Sequence, residues 1–448
     1  MKTGASQAEA GRFAGGASAR ATAGLVAALL GVFTAGAAPI RNVILLIGDG
    51  MGAGQVAAAR CYAGTNLVFE SFPWQSRLST LAAGGVVTDS AAASSALATG
   101  RKVYIEVVSL ALPGGGEELE TVLERSSRLD KSTGLVTSSY LTDATPAGFG
   151  AHTAYRYNWS EIADGYMGKS RPDVLLGGGG TGLSVEAAQA AGYRVVTNAE
   201  GLAALSGSVA GRVAGLFGEG AMPYVSEGVV GLPSLAEMTT AAIGLLSRDP
   251  DGFFLMVEGG RIDHACHEGN LYRCVTEALA FNEAVAVVAA WAQGRSDTLV
   301  VVTADHETGG LDVLADRGPG ELPDVVWRAW GQHTADPVTA YAFGVNAQKV
   351  ALLADNTELL EVLCGEALMP ATGVGIEWRE DGGPLTRWAV NSGDVCRVEY
   401  TPSLTPPAWE PCGVVTAETT RLSWPAVDRP AGPSGYYRVL TLPAGGTE

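Results

Sequence analysis

The sequence predicts an α/β protein with a mainly parallel central sheet covered by helices on both faces, followed by a small C-terminal all-β module. Between Ile40 and about Leu363, short apolar runs recur, separated by longer amphipathic or Ala-rich stretches. The runs are continuous rather than alternating, as expected of strands buried on both faces. After Leu363 the texture changes to Trp, Pro, Gly and short alternations. The 448 residues, 47% hydrophobic and 17% charged, are enough for one enzyme-sized domain and a smaller module, and too apolar for a disordered chain.

At the N-terminus, Lys2, Arg12 and Arg20 precede the apolar stretch Ala21 to Phe33 and the small-residue site Ala35-Gly36-Ala37. This order predicts a secretory signal peptide over residues 1–37, its apolar stretch too short for a membrane span. A flexible Ala/Gly leader is the alternative, and the region before the apolar stretch is long for a signal. No later segment offers 18 uninterrupted apolar residues, so no membrane span is expected in the mature chain. Export to a periplasmic or extracellular compartment would permit disulfides among Cys61, Cys266, Cys274, Cys364, Cys396 and Cys412, with a connectivity that spacing does not reveal.

The catalytic-sized domain is expected over residues 38–363. Its strands are read at Val43 to Ile47, Gly134 to Thr137, Asp173 to Leu176, Phe253 to Val257 and Leu299 to Thr303. Sites in such folds lie beyond the carboxyl ends of the strands. Asp49, Glu258 and the pair Asp305-His306 stand at or just past three of these ends. Residues 364–371 read as a linker and 372–448 as the β-rich module, with Cys396 and Cys412 at hairpin-scale spacing. A C-terminal extension packed on the main domain is the alternative.

Acidic residues number 47 against 29 basic ones, a formal charge of −18. That balance argues against a nucleic-acid or anionic-membrane surface, which relies on clustered Lys and Arg. An anionic substrate would need positive charge supplied locally.

Gly48-Asp49-Gly50-Met51-Gly52-Ala53 matches the dinucleotide fingerprint by letter, and Glu70 lies at a suitable distance. Asp49, however, would put a carboxylate where a pyrophosphate must be cradled. A carboxylate between glycines at a strand end is better suited to holding cations. Thr88-Asp89-Ser90 opens the Ala-rich helix former that ends at Gly100. Ser90 therefore sits at a helix N-terminus, where free N–H groups stabilise an alkoxide or phosphoryl group, unless Asp89 or Ser90 is simply an N-cap. No G-x-S-x-G elbow surrounds it, so a metal would have to activate it.

Asp263 and His267 are four residues apart on one helical face, with Glu258 before them. Asp305-His306 and His333 add further ligand types. Imidazoles with carboxylates favour zinc, and Cys266 could be a thiolate ligand or a structural residue. Asp143, Thr145 and Arg156 supply a carboxylate and hydroxyl suited to Mg²⁺ and a planar fork suited to phosphoryl oxygens. His152 has no evident task.

In order, NVILLIGDGMG, VTDSAAASSALATG, DATPAGFGAHTAYR, FFLMVEGGRIDHACHEGN, LVVVTADHETGG and QHTADP resemble the alkaline phosphatase family over about residues 42–363. The resemblance implies an alkaline phosphatase-like fold and hydrolysis of phosphate monoesters through a phosphoserine at Ser90, with two zinc ions and one magnesium ion. It implies Asp263, His267 and His333 at the first zinc, and Asp49, Asp305, His306 and Ser90 at the second. Asp49, Thr145 and Glu258 would hold magnesium, with Asp143 reaching it through water. Ser90, Arg156 and His264 would face the substrate. Asp143 with His264 is a mixed combination for the family. The segment Gly310 to Gln332 leaves little room for the inserted crown that some members use at a dimer contact, although a homodimer stays open. The rivals are a phosphodiesterase of the same superfamily and a non-catalytic phosphate- or metal-binding protein. A sulfatase is disfavoured because Ser90 is not in a C/S-x-P-x-R sequence.

Overall fold

A computed structural model describes residues 40–205, 211–228 and 230–365 in full, and the backbone of further strands between Gly375 and Leu442. The expected signal segment, residues 1–37, lies outside the described residues. In chain order the strands are β1 (Asn42–Gly48), β2 (Trp74–Leu78), β3 (Ser132–Tyr140), β4 (Val174–Gly179), β5 (Arg194–Val196), β6 (Val213–Glu219), β7 (Phe253–Gly259), β8 (Thr298–Thr303), β9 (Glu307–Thr308), β10 (Leu311–Ala315), β11 (Asp324–Trp327), β12 (His333–Thr334) and β13 (Val338–Gly344). Nine of them form one sheet in the order β2-β13-β8-β1-β7-β3-β4-β6-β5. From β8 to β5 every pairing is parallel. β13 runs antiparallel to both its neighbours, β8 and β2.

The middle of the sheet follows from composition. β1 (NVILLIG), β7 (FFLMVEG) and β8 (TLVVVT) are buried along their whole length, as strands covered by helices on both faces must be. The covering helix Leu271–Ala292 buries Cys274, Ala278, Phe281, Val285, Val288 and Ala292, spaced three or four apart along one face. By length and composition it is apolar enough to cross a membrane, but that stripe packs into the same core as the strands. The helix Ser90–Thr99, built of small residues, hydroxyls and Leu97, is wholly buried, capped by Asp89 at its start and by Gly100 with φ +69° at its end.

The five strands expected from apolar runs are present and longer than expected, β4 running on through Gly177–Gly179. β2, β5, β6 and β13 carried no such run. β2 is an edge strand with most of its side chains exposed.

Beyond Gly365, Gly375–Trp378, Pro384–Ala389 and Arg421–Pro425 form one three-stranded sheet, and Val395–Thr401, Glu410–Thr416 and Tyr436–Leu442 form another. All pairings in them are antiparallel. Cys396 stands opposite Val415, while Cys412 falls at the register shift beside Val398 and Glu399, so the two cysteines are not cross-strand partners. Their side chains lie outside the described residues. Cys61, Cys266 and Cys274 are free thiols.

Candidate active site and metal centre

The site begins with register. Ile47 of β1 stands beside Glu258 of β7 and Thr303 of β8, so the three central strands end level. Asp49, Glu258 and Asp305-His306 therefore emerge together at the carboxyl edge of the sheet. The helix Arg261–His267 follows β7 directly, and its i, i+4 spacing brings His267 Nε2 to 3.1 Å from Asp263 Oδ2. The short antiparallel pair β9–β12 sets His333 opposite Thr308 and so delivers the third imidazole.

Two groups of ligand atoms result. Asp49, Asp305 and His306 form one, a group that could hold a metal ion. Asp263, His306 and His333 form the other. His267 belongs beside the second group, its Nε2 lying 3.1 Å from His333 Nε2, and His306 is shared by both groups.

The outward nitrogens of two rings are fixed by carbonyls. His267 Nδ1 faces Gly331 O at 3.0 Å and His333 Nδ1 faces Thr88 O at 2.9 Å. With the Nδ1 protons donated there, the two Nε2 atoms present lone pairs to one another, an arrangement that requires a proton or a metal ion between them.

Buried oxygens point to the same need. Asp49 Oδ1, Thr145 Oγ1, Glu258 Oε1 and Asp305 Oδ2 are buried without a hydrogen-bond partner, a costly condition unless a cation answers it. Burial, then the neighbouring carboxylates led by Asp305, pushes Asp49 well above the usual carboxylate range. Burial and the charge of Asp143 lift Glu258 to about 8. Burial and Asp263 lift Asp305 to about 6. Asp263 goes the other way: although burial opposes ionisation, the His267 hydrogen bond and the facing imidazoles hold it low. The nitrogen and carboxylate sets fit zinc, and the all-oxygen set of Asp49, Thr145 and Glu258 fits magnesium.

Ser90 Oγ lies 3.2 Å from His306 Nε2 at the first residue of its helix. Ser94 of the same helix donates to Ala144 O at 3.1 Å on the helix Ala144–Gly150, which carries Thr145. Arg156 Nη1 donates to Asp89 Oδ2 at 3.0 Å and Nη2 to Asp143 Oδ1 at 3.3 Å. Although burial opposes its charge, these two carboxylates keep the guanidinium pKa above its ordinary value. Asp143 also accepts from Ser139 Oγ at 2.6 Å. His264 Nε2 stands 3.9 Å from Asp143 Oδ2, and its Nδ1 is 2.7 Å from Arg261 Nη1.

The expected site residues thus converge. Sequence reasoning missed several of their supports. Asp89 offered only an N-cap signal; it does accept from Ala92 N at 3.0 Å, but its other oxygen holds Arg156. Thr308 Oγ1 donates to Asp263 Oδ1 at 2.5 Å, and Thr137 Oγ1 donates to Glu258 Oε2. Thr308 stands two residues past His306, the sequence signal that marks its place beside the ligands. Cys266 Sγ lies 3.5 Å from Cys274 Sγ in the core. His152 bonds Ser109 O at 2.8 Å and Glu124 at 2.9 Å, a structural task.

Comparison with known proteins agrees with this geometry. The family profile described as Alkaline phosphatase matches residues 40–323. The chain is 37% identical over 306 residues to alkaline phosphatase 3 of Bacillus subtilis, covering 62% of this chain and 63% of that protein. It therefore spans just under two thirds of that relative's length. With the alkaline phosphatase of Escherichia coli K12 it shares 31% identity over 400 residues, 72% of this chain and 84% of that protein. Among solved structures, a mutant of the TAB5 alkaline phosphatase with Mg bound in the M3 site superposes with a TM-score of 0.65 at 26% identity, covering 73% of this chain and 98% of that one. The profile takes in eight strands of the main sheet and the residues that line its edge from Asp49 to His306, and with a relative matched over 84% of its length it places this chain in the alkaline phosphatase family.

Proposed function

We propose that the chain hydrolyses phosphate monoesters to alcohol and inorganic phosphate through a phosphoserine at Ser90. The observation that carries the reading is the position of Ser90 Oγ, at a helix N-terminus and 3.2 Å from His306 Nε2, close to buried oxygens that lack partners. Asp263, His267 and His333 would hold one zinc ion, and Asp49, Asp305, His306 and Ser90 the second. Asp49, Thr145 and Glu258 would hold magnesium, with Asp143 reaching it through water. These ions, when bound, would supply Lewis acidity at the entering and departing oxygens and balance the carboxylates.

The protein's own part is positional. The helix terminus favours the Ser90 alkoxide and the phosphoryl group it receives. Ser90 Oγ, having given its proton to solvent, attacks phosphorus as the P–O bond to the alcohol breaks and the departing alkoxide takes a proton from water. Water then attacks the phosphoserine in line, the Ser90 Oγ–P bond breaks, inorganic phosphate leaves and Ser90 regains its proton. Arg156, pinned by Asp89 and Asp143, presents a preset fork to two phosphoryl oxygens. His264 would face the substrate beside Asp143. A terminal phosphate dianion uses both the fork and the metals, which favours monoesters over diesters.

We read residues 1–37 as a signal for export to the periplasm or exterior, 38–363 as the catalytic domain, 364–371 as a linker and 372–448 as a separate β-rich module. Substrates are small phosphate esters, without nucleic-acid or membrane partners, and the oligomer would be a homodimer if one forms.

The test compares p-nitrophenyl phosphate with its bis-ester at alkaline pH, before and after chelation and after return of Zn²⁺ and Mg²⁺. Monoester preference, loss on chelation and recovery on metal return are expected. Preference for the diester, or indifference to the chelator, would overturn the reading. Trapping ³²P on the wild type but not on Ser90→Ala checks the nucleophile.

A further inference from the structure

Glu307 follows the ligand pair Asp305-His306 but has no part in the chemistry proposed above. The residue is 3% exposed, and both carboxylate oxygens are hydrogen-bonded. Oε1 accepts from Gln55 Nε2 at 2.9 Å and Leu311 N at 3.1 Å. Oε2 accepts from Gly310 N at 3.0 Å and Thr334 Oγ1 at 2.6 Å. All four partners are donors, so the site calls for a side chain that only accepts; a Gln would turn N–H groups toward other N–H groups.

Those donors come from the segments that carry the metal ligands. Gln55 belongs to the helix that follows the Asp49 loop, and it also donates to Thr308 O at 2.7 Å. In the same loop, a Cβ on Gly52 would fall 2.2 Å from Glu307 Cγ, so the glycine makes room for this side chain. Thr334 adjoins His333, and its strand pairs with that of Glu307 through the two residues of β12 and β9. A single carboxylate therefore ties the Asp49 loop, the Asp305-His306 turn and the His333 strand together.

We propose that Glu307 is a positioning residue: it fixes the distance between the two ligand groups by holding the His333 strand against the Asp305-His306 turn. The inference rests on reading those groups as zinc sites. Outer hydrogen bonds of this kind alter metal affinity by about 10- to 100-fold.

The mildest perturbation is Thr334→Val, which keeps shape and removes one donor, with Thr334→Ser as the conservative restoration and Glu307→Gln as the stronger change. Zinc content is measured by atomic emission, and affinity by competition with a chromophoric chelator, on the full chain. Two zinc ions per wild-type chain are expected. Thr334→Val and Glu307→Gln should weaken one of the two by about 10-fold or more, leave the other, and regain kcat as free Zn²⁺ is raised. Thr334→Ser should match the wild type. Unchanged affinity for both ions in Thr334→Val, even with a lower melting temperature, would overturn the inference and leave the metal reading standing. A wild type that binds no zinc would overturn both.

Discussion

Replacing Gly148 with alanine asks whether the nucleophile is positioned by the contact between two helices. The helix Ser90–Thr99 lies against Ala144–Gly150. A Cβ on Gly148 would fall 2.2 Å from Ser94 Oγ, 2.7 Å from Ser94 Cβ and 3.0 Å from the Ser94 carbonyl carbon. Carbon atoms rest about 3.5–4.0 Å apart, so the helices must separate by roughly 1 Å, and because backbone is involved a rotamer change of Ser94 gives no relief. Overpacking of this kind costs about 1–3 kcal/mol, and a displacement of about 1 Å at a reacting group can cost about 100-fold in rate. With Zn²⁺ and Mg²⁺ saturating, kcat on p-nitrophenyl phosphate should fall about 10- to 100-fold, and the thermal midpoint should drop by several degrees. Adding Ser94→Gly removes the nearest atoms, so the double variant should recover part of both losses, with a coupling on the order of 1 kcal/mol in the mutant cycle. Wild-type kcat and midpoint in Gly148→Ala would refute the argument that helix spacing sets Ser90.

Three further outcomes are expected. Arg156→Ala removes two charge-assisted contacts to phosphate and should lower kcat/KM by about 10²- to 10³-fold, while inorganic phosphate becomes a weaker inhibitor; an unchanged inhibition constant would remove Arg156 from the phosphate site. Glu277 is 4% exposed and burial lifts its carboxyl from 4.5 to about 7. The folded state thus holds this proton longer than the unfolded chain does, so the stability it contributes is complete below pH 4.5 and is lost as pH rises through about 7. Glu277→Gln keeps an acceptor for Val225 N and should therefore gain on the wild type between pH 5 and 8, by at most about 3 kcal/mol in urea unfolding of chelated protein; parallel pH profiles would contradict this. Finally, chelation should lower the thermal midpoint and metal return should restore it, since ions present at about 1,000 times Kd contribute about 4 kcal/mol; a midpoint blind to chelator would mean that the orphan oxygens hold no cation.

The centre of the fold was legible in sequence because β1, β7 and β8 are covered on both faces and so are apolar throughout. The edges were not, because β2 needs only part of one face to be apolar. The site was legible wherever a ligand follows a strand directly, as Asp49 and Asp305 do, or repeats on a helix, as Asp263 and His267 do. What remained hidden depends on distant segments meeting. Arg156 rests on Asp89 and His333 on Thr88 O, pairings that no local pattern announces. Local pattern can also mislead. Glu70, spaced like a ribose ligand, instead accepts from Leu67 N at the start of its own turn and pairs with Arg60 of the preceding helix.

The parallel pairing of β1 has a further consequence, for synthesis. Asn42 pairs with Phe253 and Thr298, so the two neighbours of β1 begin 211 and 256 residues after it. At roughly 5–20 residues per second, β1 leaves the ribosome some tens of seconds before β8 exists. Until β7 is made the run Val43 to Ile47 has no partner strand, it gains the second only with β8, and both pairings are of the slow, non-local kind. The catalytic edge is thus among the last parts to form. A nascent chain of this topology therefore carries an unpaired apolar strand through most of its synthesis, and strand exposure of that kind invites aggregation until the sheet closes.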